Sequence, residues 1–266
     1  MEKFNRFVTK YVRILYFASC AVMIALGTVL TNQNVGLGLI VMYGGILLCS
    51  WFLRGRMNAL IKEPLRMYLE ECDPEPYREE MQKQKGYGGF KAMEINRQLG
   101  ETTAMIDLGQ YQQAYMLLLP MEQAIMARRD RGTQMAYCGQ MGIACRKLGM
   151  DREAEDWIRK SKEVFGKIKN RKIKQQFADI LRAQDAWIFC RQGQYDPARQ
   201  LLDQSVPQNM RNRVRLAMNY AGLYLSQGEN DLAKQALRFV AEHGNKLYIA
   251  TQARQMLAEM AAKEEM

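Results

Sequence analysis

Histidine is nearly missing from this chain: His243 is the only one among 266 residues. A single imidazole excludes any metal or catalytic arrangement that needs two, and the cysteines do not make up the difference. Cys20, Cys49, Cys72, Cys138, Cys145 and Cys190 are scattered, with no C-x-x-C pair among them. They read as reduced, buried thiols. Also missing are a nucleophile elbow, paired carboxylates in a plausible setting and a phosphate loop. The stretch Gly86-Tyr87-Gly88-Gly89 is not followed by Lys-Ser or Lys-Thr, so it reads as a hinge. The expectation is a protein without enzymatic activity, cofactor or metal.

Acidic charge is in short supply. Asp and Glu total 28 against 38 Lys and Arg, a formal charge of +10. Residues 1–53 contribute only +3 of this, through Lys3, Arg6, Lys10 and Arg13 against Glu2, so the rest of the chain is strongly basic. That balance suits an acidic partner, anionic lipid or nucleic acid, and equally serves plain solubility.

Charge of either sign is missing from two long runs, Ile14 to Leu30 and Val35 to Leu53. At about 1.5 Å per residue the second has the reach of a bilayer's hydrocarbon core, about 30 Å thick, and the first can lengthen toward Val8 with Arg13 snorkelling to the interface. Only Thr31-Asn32-Gln33-Asn34 lies between them, so the spans, about 12–31 and 35–53, must return as an antiparallel hairpin. Basic residues flank both outer ends: Lys3, Arg6, Lys10 and Arg13 before, Arg54, Arg56, Lys62 and Arg66 after. By the positive-inside rule the N-terminus and everything beyond Arg54 are cytoplasmic, on a bacterial-type plasma (inner) membrane crossed twice. No A-x-A-like cleavage site follows the first run. Gly27, Gly36, Gly38, Gly44 and Gly45 offer close approach between the spans or to another membrane protein, and no ionisable residue marks an ion pathway.

Beyond the anchor (1–56), an interfacial helix is expected over Met57–Glu71, within a juxtamembrane and linker region reaching residue 90. Pro74, Pro76 and the glycines at 86–89 interrupt helix there. The segment 73–90 fits a tether and packing on the following domain equally well.

Residues 91–266 repeat themselves. Gly109, Gly149, Gly193 and Gly228 are each followed five residues later by an alanine: Ala114, Ala154, Ala198 and Ala233. Such a glycine closes a helix in the left-handed conformation, and an alanine one turn into the next helix lets the two approach. Apolar residues recur at helical spacing after each turn, for example Leu118, Trp157, Ile158, Leu202 and Leu237. Asn245–Lys263 reads as a closing amphipathic helix.

With Gly-x-Tyr-x-x-Ala at Gly109 and Gly193, the array resembles the tetratricopeptide repeat family over about residues 91–243. Gly142 and Ala221 stand at the family's small position in the first helix. The family's early tryptophan position holds Gln98, Cys138, Arg182 and Ala217, and its closing proline is absent. The resemblance implies an all-α chain: a two-helix transmembrane hairpin, then an α-solenoid of about four such hairpins with a C-terminal capping helix.

It also implies a partner segment bound along the first helix of each hairpin. Carried over by offset, the groove positions are Asn96, Leu99 and Thr103; Ile143, Arg146 and Lys147; Ala183, Trp187 and Arg191; and Arg215, Met218 and Leu225. The binding set is Arg146, Lys147, Trp187, Arg191, Arg215 and Met218. The cations would pair with carboxylates of an acidic, partly hydrophobic segment and Trp187 would anchor it. Trp187 also suits a place between repeats. Lys167, Lys169, Arg171, Lys172 and Lys174 form the densest positive patch, open to anionic lipid or simply a solvated loop. No aromatic residue interrupts the run to stack on bases, so nucleic acid is not expected there, nor is a small-molecule substrate. The function expected is a membrane-tethered scaffold or adaptor for a protein partner. The alternative is a sensory or regulatory module binding a ligand, anionic lipid or nucleic acid through its basic surface.

Overall fold

The computed structural model describes residues 1–87 and 90–264. Gly88 and Gly89, half of the expected hinge, lie outside the described residues. Among the described residues all regular structure is helical: α1 (Glu2–Lys10), α2 (Val12–Thr31), α3 (Val35–Glu70), α4 (Glu75–Lys83), α5 (Lys91–Asp107), α6 (Tyr111–Leu118), α7 (Glu122–Met126), α8 (Arg131–Lys147), α9 (Asp151–Gly166), α10 (Arg171–Arg191), α11 (Tyr195–Asp203), α12 (Met210–Gln227), α13 (Asn230–His243) and α14 (Tyr248–Glu264). The chain divides into two compact units, Met1–Pro64 with Glu79–Arg97, and Leu65–Arg78 with Gln98–Met266.

In the first unit, α2 and α3 are long and apolar enough to cross a membrane. Their apolar faces are almost wholly exposed, with Ile40, Leu47, Leu48 and Trp51 each about 70% accessible or more (Leu48 67%), unlike core helices of a water-soluble domain. Between them Asn34 Oδ1 accepts from the Leu37 amide at 3.1 Å and starts α3. Of the five span glycines, Gly27 and Gly38 make the helix crossing: a Cβ on Gly38 would stand 2.6 Å from the Gly27 carbonyl oxygen. Gly45 faces Met23, while a Cβ on Gly44 would meet nothing within 4 Å.

Two features depart from the sequence reading. A short separate helix, α1, precedes the first span, its break at Tyr11. The expected interfacial helix over 57–71 is not separate: α3 continues through it with Pro64 inside. Pro76 falls in the first turn of α4, where a missing amide costs nothing, so the helix break lies at 71–74.

The second unit begins with the last turn of α3. Leu65, Tyr68, Cys72 and Tyr77 pack with Val214, Leu237, Val240, Leu247 and Ala253 in one apolar cluster. Lys246 Nζ bridges Asp73 at 2.9 Å and Glu75 at 2.7 Å, and the Asn245 side chain donates to the Glu71 carbonyl at 2.8 Å. Residues 65–78 therefore belong to this unit rather than to a tether, because their apolar residues, spaced three and four apart, find a core there.

Helices α8 and α9, α10 and α11, and α12 and α13 pair as neighbours. All four turn glycines adopt φ between +73° and +77°, and Ala114, Ala154, Ala198 and Ala233 are completely buried. Leu118, Ile158, Leu202 and Leu237 are buried as the periodicity requires. The first hairpin's second helix is interrupted: Pro120 lies in a 3-10 turn over Leu119–Met121 before α7 follows. The closing helix begins at Tyr248 and buries Ala250 and Ala253, with Leu247 just before it, while Met256, Leu257 and Met260 pack against the same cluster.

Elements far apart in sequence meet within this unit. The Tyr111 ring sits edge-on to Tyr248 with centroids 6.0 Å apart, and a Cβ on Gly109 would stand 2.5 Å from that Tyr248 ring.

Candidate functional site

A charged concavity of the second unit, about 330 Å³, has walls drawn from the end of α3 and from α5, α6, α8, α10, α12 and α14. Ile106, Ile143 and Met218 supply apolar wall, and Arg146, Lys147 and Arg215 supply positive charge. Arg146 and Lys147 end α8, where the helix dipole favours cations. Among the described residues, however, neither has a carboxylate partner. Arg215 reaches Asp107 only at 3.9 Å.

Like charges gathered out of water shift their own equilibria. Arg146 falls to about 10, through burial first and Arg215 second, and Lys147 falls to about 8, through burial and then both arginines. Lys147 is open to solvent at the rim, but the surrounding walls reduce its hydration. A primary amine near pH 8 is far more often neutral at pH 7.5 than an ordinary lysine near 10.4. Brief treatment with acetic anhydride at pH 7.5 should therefore label Lys147 at least about tenfold faster than Lys167 or Lys169. Peptide mass spectrometry reads this directly, and equal rates would refute the depressed value. The sign for ligands is the reverse. An anion bound beside Lys147 loses attraction as pH rises through about 8.

Asp107 is the acid that holds this region together. Its carboxylate takes the Tyr68 hydroxyl at 2.7 Å and the Arg211 guanidinium, while Arg211 also lies 4.7 Å from the Tyr68 ring centre. Burial would raise the Asp107 pKa, but Arg211 and Arg215 outweigh it and the carboxyl stays below its ordinary value. Arg211 is held above its ordinary value by Asp107 despite its burial, while Arg215, less well paired, is lowered by burial. One carboxylate thus neutralises one of the cations, leaving Arg146, Lys147 and Arg215 in excess.

Of the six residues expected to bind a partner, the structure brings Arg146, Lys147, Arg215 and Met218 together on this wall. Trp187 and Arg191 stand outside it. Trp187 is half-buried between Arg146 at 5.5 Å and Arg191 at 5.0 Å. Arg191 pairs with Asp151 at 3.1 Å and Glu155 at 3.2 Å, both on α9. Those acids, placed at the start of the preceding hairpin's second helix, were the available signal that Arg191 is already engaged. Asp107 and Arg211 escaped the sequence reading, because a carboxylate just before a turn glycine looks like an ordinary helix end.

The basic run is where the sequence places it. Lys167 and Lys169 are exposed between α9 and α10, and Arg171, Lys172 and Lys174 are exposed in the first turn of α10. Asn170 caps that helix by accepting from the Lys172 and Ile173 amides at 3.0 and 3.2 Å. Buried Ile168 and the packed Ile173 fix the run to its core. Among the described residues no group of three or more His, Cys, Asp and Glu gathers in a way that could hold a metal. No family model matches the chain, and no curated protein matches it.

Proposed function

We propose that this protein is a membrane-tethered, non-enzymatic scaffold or adaptor that captures an acidic, partly apolar segment of a protein partner. The single observation carrying this reading is the surplus of positive charge in the concavity: Arg146, Lys147 and Arg215 crowd together with apolar Ile106, Ile143 and Met218, while the acids on the same wall, Asp107 and Asp179, pair with Arg211 and Arg182. A fold that keeps cations at the cost of lowered pKa values is arranged for an anion. The apolar wall beside them favours a peptide segment over an isolated ion. In this reading α2 and α3 anchor the chain in the inner membrane with both ends cytoplasmic, and the paired helices form a tetratricopeptide-like solenoid presenting its concave face.

The test is affinity purification of crosslinked full-length protein from membranes. Wild type and Arg191→Glu should recover the same partner, because Arg191 stands outside the wall. A variant carrying Arg146→Gln and Lys147→Glu, folded by circular dichroism, should lose that partner at least tenfold. Equal recovery by the double variant would sink the reading.

A second reading has its own observation. Arg171, Lys172 and Lys174 occupy the first turn of α10, the end where the helix dipole disfavours cations. Their retention there supports a regulatory contact with anionic lipid or nucleic acid. Retention of detergent-solubilised full-length protein on anionic-lipid and nucleic-acid beads that survives Lys172→Glu and Lys174→Glu would dismiss it.

A further inference from the structure

The first unit has an apolar cavity of its own, whose chemistry calls for a different ligand. About 430 Å³ in size, it is an open groove lined by Phe4, Phe7 and Val8 of α1, Leu15 of α2, and Leu48 and Phe52 of α3. Its wall is almost wholly carbon, and the Ser19 hydroxyl on it is already spent on the Tyr16 carbonyl at 2.8 Å. The wall is fixed rather than loose. Asn5, Val8 and Thr9 of α1 are buried, and Arg6 ties the helix down by pairing with Glu2 at 2.8 Å and Glu80 at 2.9 Å.

The outward side of α1 carries Phe4 and Phe7, and Tyr11 follows at the helix break, spaced three and four apart and exposed by 49, 53 and 38%. This stripe continues without a break in sequence into the exposed Ile14 and Phe17 of the first span. Aromatic residues in that position are suited to the headgroup level of a bilayer. At the cavity, the Arg56 guanidinium lies 4.9 Å from the Phe52 ring centre and 5.5 Å from that of Phe4. Among the described residues it has no carboxylate partner. The one acid before residue 54, Glu2, is taken by Arg6.

We propose that this cavity binds an anionic phospholipid, with one acyl chain against Phe4, Phe7, Leu15, Leu48 and Phe52 and the headgroup phosphate on Arg56. The proposal rests on α2 and α3 lying in a membrane. An acyl chain is the occupant because the cavity opens onto the same apolar surface that the two helices turn outward, and the lone cation beside it selects for negative headgroups.

The test uses full-length protein in vesicles, with Trp51→Phe removing the nearby tryptophan and Phe7→Trp placing a reporter in the cavity wall. Brominated-chain phosphatidylglycerol or brominated-chain phosphatidylcholine is added as a minor share of unbrominated phosphatidylcholine. Half-quenching should need about fivefold less of the anionic lipid, the selectivity one basic residue near the surface supplies. Arg56→Gln should erase that preference and Arg54→Gln should keep it. Equal quenching by both lipids, or a preference that survives Arg56→Gln, overturns the proposal while leaving the anchor intact. Protein that neither floats with vesicles nor resists alkaline extraction overturns the anchor as well.

Discussion

Asp107→Ala is expected to lower the stability of the second unit by about 3–5 kcal/mol, the cost of removing one partner from a buried ion pair. The loss is large because three groups depend on one carboxylate. Arg211 is left charged and buried, the Tyr68 hydroxyl loses its 2.7 Å acceptor, and Arg215 loses its nearest acid. For a unit of this size the thermal midpoint should fall by roughly 6–20 °C. Tryptophan fluorescence of Trp157 and Trp187 in a Trp51→Phe background reports it. Adding Arg211→Met to Asp107→Ala should restore part of the loss, since an apolar replacement removes the stranded charge. A loss below about 1 kcal/mol for the single variant would show that the network contributes little. The pH dependence has a definite sign. Asp107 titrates lower when folded, so its contribution is present above the unfolded value of about 3.9 and is lost as pH falls through the lower folded value.

The four turn glycines are expected to divide sharply on replacement by alanine. All share a positive φ, which costs an L-residue about 1–2 kcal/mol. At Gly149, Gly193 and Gly228 a new Cβ meets nothing within 4 Å, so that cost is the whole effect. At Gly109 it would lie 2.5 Å from Tyr248 Cγ and 2.8 Å from both Cδ atoms. The close atoms belong to the root of the ring, so relief takes a change of the Tyr248 rotamer and of its edge-on contact with Tyr111. Overpacking adds about 1–3 kcal/mol, so Gly109→Ala should lose about 2–5 kcal/mol against about 1–2 for Gly193→Ala. Denaturant midpoints of the two variants settle it, and equal shifts would mean that Tyr248 is free to retreat.

The same glycines show what was legible in the sequence. A left-handed turn and a small residue five positions later are local demands, met by Gly and Ala whatever surrounds them, so turns and buried alanines could be placed residue by residue. The two apolar runs were equally plain. The helix α1 was not, because Phe4, Phe7 and Val8 read as the approach to the first span, and only the break at Tyr11 separates them. Nor was the role of Leu65, Tyr68 and Cys72, whose partners lie more than a hundred residues away. Of the candidate site, Arg146, Lys147, Arg215 and Met218 followed from the several groove offsets counted back from each turn glycine. Trp187 and Arg191 came from the same set of offsets, yet Asp151 and Glu155 draw Arg191 away. Offset fixes which face a residue takes, whereas pairing depends on neighbours that only the folded chain supplies.

The bond between Asp107 and Arg211 has a consequence for how the chain acquires its structure. In an open array of repeats each hairpin can fold against its neighbour as it is made, and the energy is nearly a sum of adjacent contacts. Here Tyr68, Asp107 and Gly109 await residues 211 and 248, which are synthesised about a hundred residues or more later. The early hairpins emerge with their polar and aromatic contacts unmet, so the final closure should be slow and cooperative. A nascent chain arrested before Tyr248 would stay open to proteases along α5 and α6, although every residue of those helices had already been translated.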